Sequence, residues 1–418
     1  MDRRSFLAAS AAAAGLSAMD QRGALAQAVL SRAPAPDAGA NAQADGPLLV
    51  ARPVVSGPAA ESITILQPIA GPATGFVEFA IDDAPFERVD AGGHGLLPYE
   101  PHVLKFRLPG LPAGRNVRYR VTAHRVDWRP VRQFIHGEIV TAQPEVGPEK
   151  TFRTLDPSAT ETRFIVWNDT HENSETLKAL AQQTAARRPD FLLWNGDQTN
   201  DVHYEADISG QVLSPAGVEL ASSWPLAYAR GNHDLRGPAA RNLTDFTGTP
   251  NDRYYYAFRS GPVAVLVMDT GEDKPDDHPV FGGLAAFVKY RERQTKWLAE
   301  TVQAPWFAEA PFRVLFCHIP LWWIKDRRDI DYWEFSKVCR DAWTPLLAEA
   351  GVQLVISGHT HDHAWLPATE KQPLGQLIGG GPKPAHATLI EGLATRDKLT
   401  LTVQKLDGKV VHVVELNA

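Results

Sequence analysis

Five apolar runs in the C-terminal part of the chain each stop on side chains able to bind a metal. They are FIVWND at 164–169, continuing into Thr170 and His171, FLLWNGD at 191–197, WPLAYARGNHD at 224–234, FRVLFCHIP at 312–320 and VQLVISGHTH at 352–361. A sixth run, VAVLVMDTG, occupies 263–271. Runs this short and this apolar suit strands buried on both faces. Stretches with helical character, NSETLKALAQQTAARR and RQTKWLAETV, lie between some of them. Buried strands spaced by helices predict an α/β layered domain, and in such folds binding sites gather where strands end.

Each strand-end motif has a bland reading when taken singly. A DxH is a turn, a GD is a strand end, and a lone His after a strand is a hydrogen-bonded core residue. Five in one chain, each at the carboxyl end of an apolar run, read instead as a functional set. In SGHTHDHAW, His359, His361 and His363 alternate, so on an extended chain the three share one face. Cys317 and Cys339 are the two cysteines, which excludes a disulfide framework and a cysteine-rich zinc site. A metal must therefore sit on His, Asp, Glu or Asn. No Gly-x-Ser-x-Gly elbow supports a serine hydrolase.

The order DxH, GD, GNHD, H, GHxH resembles the calcineurin-like metallophosphoesterases over about 162–389. The resemblance implies a four-layered fold, two β-sheets flanked by helices, with a dinuclear metal centre at the sheet edges. Carried over motif by motif, it implies that Asp169, His171, Asp197 and His361 hold one metal and that Asp197, Asn232, His318 and His359 hold the other, with Asp197 bridging. The donor types agree: carboxylate, amide and imidazole together suit two divalent ions such as Fe, Mn or Zn and are too rich in nitrogen for calcium. Two ions about 3.5 to 4 Å apart can hold a hydroxide between them and clamp an in-line phosphoryl displacement. His233 resembles the family's acid, which steadies the transition state and protonates the leaving oxygen. Asp234, also counted with the catalytic residues, is expected to orient His233. His363 stands where related phosphatases often carry a substrate-side aromatic, and Trp322, Trp323 and Trp333 either wall the pocket or pack in the core. Gly379 to Gly381 read as a tight turn, and Cys317 as buried and inert.

Before these motifs the pattern differs. Residues 1–28 carry Arg3 and Arg4, an Ala-rich apolar stretch and small-residue sites, which is the grammar of a signal peptide and resembles a twin-arginine export signal. Residues 29–47 read as a flexible linker. Residues 48–157 hold short period-two runs broken by Pro and Gly, such as SITILQPI, GFVEFAID and VRYRVTAHRV, and predict a small antiparallel β-sandwich. It resembles the fibronectin-type-III-like domain that precedes the catalytic domain in purple-acid-phosphatase-like proteins. The catalytic domain is expected at 158–418, closing in a hairpin turned by Asp407 and Gly408.

With a net charge of -7, a nucleic-acid partner is not expected, and the short first apolar stretch argues against stable membrane insertion. No obligate protein partner is evident. The expectation is a periplasmic or secreted phosphoesterase acting on small-molecule esters, a phosphomonoesterase in the first instance. A phosphodiesterase and a non-catalytic, metal-stabilised surface module are the alternatives. Relatives acting on phosphoserine carry GDxVDRG and GNHE where this chain has GDQTND and GNHD, which weighs against a protein phosphatase. One departure stands out. Three residues after the bridging aspartate, purple acid phosphatases carry an iron-ligating tyrosine, and here that position is Asn200, with Tyr204 four residues further on.

Overall fold

The computed structural model describes residues 46–90, 92, 95–129, 138–323 and 337–418. The expected signal peptide, all but the end of the expected linker, and Trp333 lie outside the described residues. Among the described residues, nine strands form one sheet, in the spatial order Val410–Asn417, Lys398–Lys405, Thr388–Thr395, Glu161–Trp167, Phe191–Asn195, Leu226–Ala229, Val54–Ser56, Ser62–Pro68 and Val103–Pro109. A second sheet runs Tyr256–Ser260, Val263–Val267, Phe312–Phe316, Leu354–Ser357, Gly375–Ile378 and Ala364–Leu366. A third joins Glu87–Asp90, Ala73–Ile81, Asn116–Arg129 and Glu138–Thr141, with Glu145–Val146 and Lys150–Arg153 also paired to Asn116–Arg129.

The first two sheets face each other. Phe164, Val166, Phe191 and Leu193 of one meet Val265, Val267, Val314, Phe316, Leu354 and Ile356 of the other in a shared core. Alternate residues of the same strands point the opposite way, as the two-residue period of a strand demands. Ile165, Trp167, Leu192 and Trp194 pack with Leu177 and Leu180 of the helix Ser174–Arg187. On the far face of the second sheet, Leu266 and Leu315 pack with Leu298 of helix Phe287–Thr301 and with Cys339, Trp343 and Leu347 of helix Lys337–Glu349. The order is helix, sheet, sheet, helix, which is the four-layered α/β architecture expected. Helix Ser174–Arg187 begins where Asn173 accepts the Thr176 N–H at 3.1 Å, satisfying a donor the first turn leaves open.

The β-rich N-terminal region differs from a free-standing sandwich. Val54–Ser56 pairs in parallel with Leu226–Ala229, so three strands from before residue 158 extend the nine-stranded sheet itself. Ser56 Oγ donates to the Thr247 carbonyl, and the Tyr119 hydroxyl donates to the Ser222 carbonyl at 2.8 Å. Period-two patterning identifies a strand and its buried face, but not its neighbour. The pairing Ser56 to Leu226 is therefore invisible in the sequence.

Candidate metal centre

Strands Glu161–Trp167, Phe191–Asn195 and Leu226–Ala229 run parallel in one sheet, and Val263–Val267, Phe312–Phe316 and Leu354–Ser357 run parallel in the other. Their carboxyl ends deliver all the candidate ligands to one place. Asn195 ties the sheets together there: its buried amide donates to Asn168 Oδ1 at 3.0 Å, to the Ile356 carbonyl at 3.2 Å and to the Cys317 carbonyl at 3.3 Å. Beyond the strands the chain turns sharply. Asp169, His171, Asp197, His359 and His361 all have φ between 42° and 69°, a region uncommon for residues with a side chain. Backbone held this way against its preference is concentrated at functional sites.

The ligand atoms fall into two groups. Asp169, His171, Asp197 and His361 each offer an atom within 4.8 Å of the others, and so do Asp197, His318 and His359. Asp197 belongs to both. Its Oδ2 lies 3.3 Å from His171 Nε2 and 3.2 Å from His318 Nε2. His171 Nε2 and His361 Nε2 face each other at 3.0 Å, two nitrogen lone pairs aimed at one spot. Asn232, next in the chain to Gly231, which abuts Asp197, is buried, and among the described residues its Oδ1 has no hydrogen-bond partner, an acceptor that a cation would satisfy.

The motif glycines clear this space. A Cβ on Gly196 would run into the His318 imidazole, one on Gly231 into Asp197, one on Gly358 into the Asp169 carboxylate and one on Gly381 into His361. Gly379 to Gly381 therefore do not form the expected tight turn. They continue the chain past strand Gly375–Ile378, with Gly379 against the Asn168 amide and Gly381 against His361.

Ring orientations are fixed from behind. His318 Nδ1 donates to the Asn195 carbonyl at 3.0 Å and leaves Nε2 for the site. His171 Nδ1 lies 3.2 Å from Asn200 Oδ1, and His233 Nδ1 is 2.8 Å from the Asn200 carbonyl. Such partners behind a ligating imidazole set its tautomer and raise its basicity. Glu172 in turn accepts from the Asn200 backbone N–H at 3.0 Å and its amide at 3.2 Å. Burial would raise the Asp197 carboxyl, but His318 and His171 beside it hold it well below the usual carboxylate range. Burial raises Asp169. His318 is pulled up against its burial by Asp197 and Asp169, while burial and neighbouring imidazoles hold His359 at about 3 and His361 at about 4. A neutral imidazole is the form that binds metal. Donor types, converging lone pairs and the orphaned amide oxygen together fit divalent cations.

The expected role of Asp234 needs correction. Asp234 is buried and does not orient the His233 ring: Oδ1 accepts from Thr199 N and Oγ1, both at 3.0 Å, and Oδ2 from Gly231 N at 2.8 Å. It joins the GDQTN and GNHD loops and has no surface to offer a substrate. His363 belongs to neither ligand group, and its Nδ1 faces His412 Nε2 at 3.0 Å on the C-terminal hairpin. Trp322 packs against the core, whereas Trp323 stands edge-on to His359 with centroids 5.5 Å apart. Cys317 is buried, as expected. Tyr204 is 71% exposed, and Asn200 holds His171 from behind. Purified protein should accordingly show no strong phenolate band in the visible, and Tyr204→Phe should leave the spectrum unchanged. A band lost in that variant would show Tyr204 ligating a metal.

Two facing sheets clad in helices, with Asp, His and Asn gathered at the strand ends, define the architecture of a metallophosphoesterase. Residues 162–363 match the family model of the calcineurin-like phosphoesterases, so this stretch is a calcineurin-like phosphoesterase domain. The serine/threonine-protein phosphatase CPPED1 of Mus musculus is 27% identical over 172 residues, covering 41% of this chain and 49% of that protein. The chain thus spans about half the length of that curated relative. Purple acid phosphatase PPD1 from yellow lupin (Lupinus luteus) seeds superposes with a TM-score of 0.64 at 14% identity, covering 87% of this chain and 74% of that one. PhoD gives 0.57 at 11% identity, with 88% and 92% covered. At these identities the two structures show the fold.

Proposed function

We propose that this chain is an exported phosphomonoesterase that works with two divalent cations, Mn, Zn or ferrous Fe. The observation that carries the reading is the pair of ligand-atom groups sharing the Asp197 carboxylate. When bound, the two cations would supply Lewis acidity, lowering the pKa of a water and neutralising charge on the phosphoryl group. Asp169, His171, Asp197 and His361 would hold one, and Asp197, Asn232, His318 and His359 the other. The export part rests on the first 28 residues of the sequence; among the described residues no helix is long and apolar enough to cross a membrane.

His233 is the group suited to serve the leaving oxygen. Its backbone N–H donates to Asp197 Oδ1 at 2.8 Å and its ring centroid is 4.6 Å from that of His171, so it borders the ligand cluster without belonging to either group. Nδ1 is engaged with the Asn200 carbonyl, and Nε2, the nitrogen that would serve the leaving oxygen, has the Arg236 guanidinium 2.8 Å away. Burial lowers the His233 pKa below the usual imidazole value and Arg236 lowers it further, against the pull of Asp197, which makes the protonated ring a stronger acid. His233→Ala should keep its metal content and lose on the order of a hundredfold in rate, less with a good leaving group such as nitrophenolate. A fall in metal content instead would move His233 into the coordination shell.

A protein phosphoester is the second reading, favoured by the similarity to CPPED1, which is named as a serine/threonine-protein phosphatase. That likeness reopens a class of substrate that GDQTND and GNHD weigh against. Turnover of a chromogenic monoester, a chromogenic diester and a phosphoserine peptide by one metal-loaded preparation separates the readings. A chain that turns over none of them is a metal-stabilised module and not an enzyme.

A further inference from the structure

Arg236 lies just beyond the GNHD motif, yet its guanidinium sits on the His233 ring. The 3₁₀ turn His233–Leu235 brings this about: Arg236 N donates to the His233 carbonyl at 3.1 Å, and residues three apart in such a turn lie on one side. Arg236 Nη1 is 2.8 Å from His233 Nε2 and 3.1 Å from Nδ1. The opposite edge is braced, with Nε 3.3 Å from Oε1 of Glu272. Glu272 is itself only 2% exposed, and its other oxygen takes Lys274 Nζ at 3.3 Å. A buried carboxylate anchored by two cations does not swing, so the Nη edge of Arg236 stays aimed along the imidazole. The Arg236 side chain keeps 36% of its surface exposed, enough for a solute to reach it.

We propose that Arg236 is a specificity-determining residue that receives the non-bridging oxygens of a phosphomonoester and selects it over a diester. The proposal rests on the phosphoesterase reading above, in which His233 Nε2 faces the leaving oxygen: a donor 2.8 Å from that nitrogen is within reach of the same phosphoryl group. A guanidinium fork matches paired phosphate oxygens in a way a point charge does not. Near neutral pH a monoester carries about two negative charges and a diester one, so a fixed cation favours the monoester. Glu272 positions the fork and touches no substrate.

The test uses metal-loaded full-length protein with Arg236→Gln, Arg236→Lys and Glu272→Gln. Arg236→Gln should keep wild-type metal content and raise the KM for nitrophenyl phosphate about tenfold or more. Its kcat/KM for bis(nitrophenyl) phosphate should change less than about threefold, since the second ester removes the charge that Arg236 reads. Arg236→Lys should recover part of the monoester KM, and Glu272→Gln should move it in the same direction as Arg236→Gln but less far. Calorimetric titration with orthophosphate should show the Kd rising in parallel with the monoester KM. Equal losses on both esters, an unchanged monoester KM, an unchanged orthophosphate affinity, or metal lost from Arg236→Gln would each overturn the assignment. Wild-type protein that hydrolyses neither ester would sink the phosphoesterase reading instead, and the orthophosphate titration would still decide whether Arg236 binds the anion.

Discussion

Asp197→Asn abolishes turnover, by a thousandfold or more on the order expected for removing a central charge-stabilising group, and lowers metal content at both positions. The substitution is nearly isosteric and keeps an oxygen for the 2.8 Å bond from His233 N, so local geometry can survive it. What disappears is one negative charge placed 3.3 Å from His171 Nε2 and 3.2 Å from His318 Nε2. Because that carboxylate is the member common to both ligand groups, its loss weakens both positions together. Elemental analysis beside a turnover assay checks this. A variant that holds two metals tightly and retains full activity would remove Asp197 from its bridging place.

Gly196→Ala is expected to do comparable damage by a different route. Gly196 has φ of 86°, a conformation that costs any residue with a Cβ, and its Cβ would enter the imidazole of His318. Backbone strain and overpacking together should cost about 3 kcal/mol or more. His318 has nowhere to retreat, since its Nδ1 is bound to the Asn195 carbonyl and the ring is fully buried. Turnover should fall at least about a hundredfold, the scale set by displacing a reacting group by about an ångström. Thermal unfolding and metal content of the purified variant test the prediction; wild-type values for both would show that the strand end tolerates a side chain there.

The gathering of the candidate ligands was legible in the sequence because they follow apolar strands. The runs ending at Asp169, Asp197, Asn232, His318 and His359 identify themselves as buried strands, and parallel strands with a common direction bring their ends to one edge. The partners behind the ligands were not legible. Asn195 looks like the last residue of an apolar run, and only the approach of the two sheets gives its amide three acceptors. Asn200 stood out as a missing tyrosine, but its grip on His171 and His233 depends on how three loops fold together. Asp234 was misread because adjacency to His233 in sequence suggests contact, whereas the 3₁₀ turn sends the two side chains apart. The junction of Val54–Ser56 with Leu226–Ala229 joins residues 170 positions apart, beyond the reach of any local pattern.

The central claim, a phosphoesterase centre built for two cations around Asp197, meets its most direct test in one titration. Metal-depleted protein is supplied with Mn or Zn in known equivalents per chain while hydrolysis of a chromogenic phosphomonoester is followed. Turnover should be near zero without metal and rise to a plateau at two equivalents per chain. A plateau at one equivalent, or hydrolysis indifferent to added metal, would contradict the account.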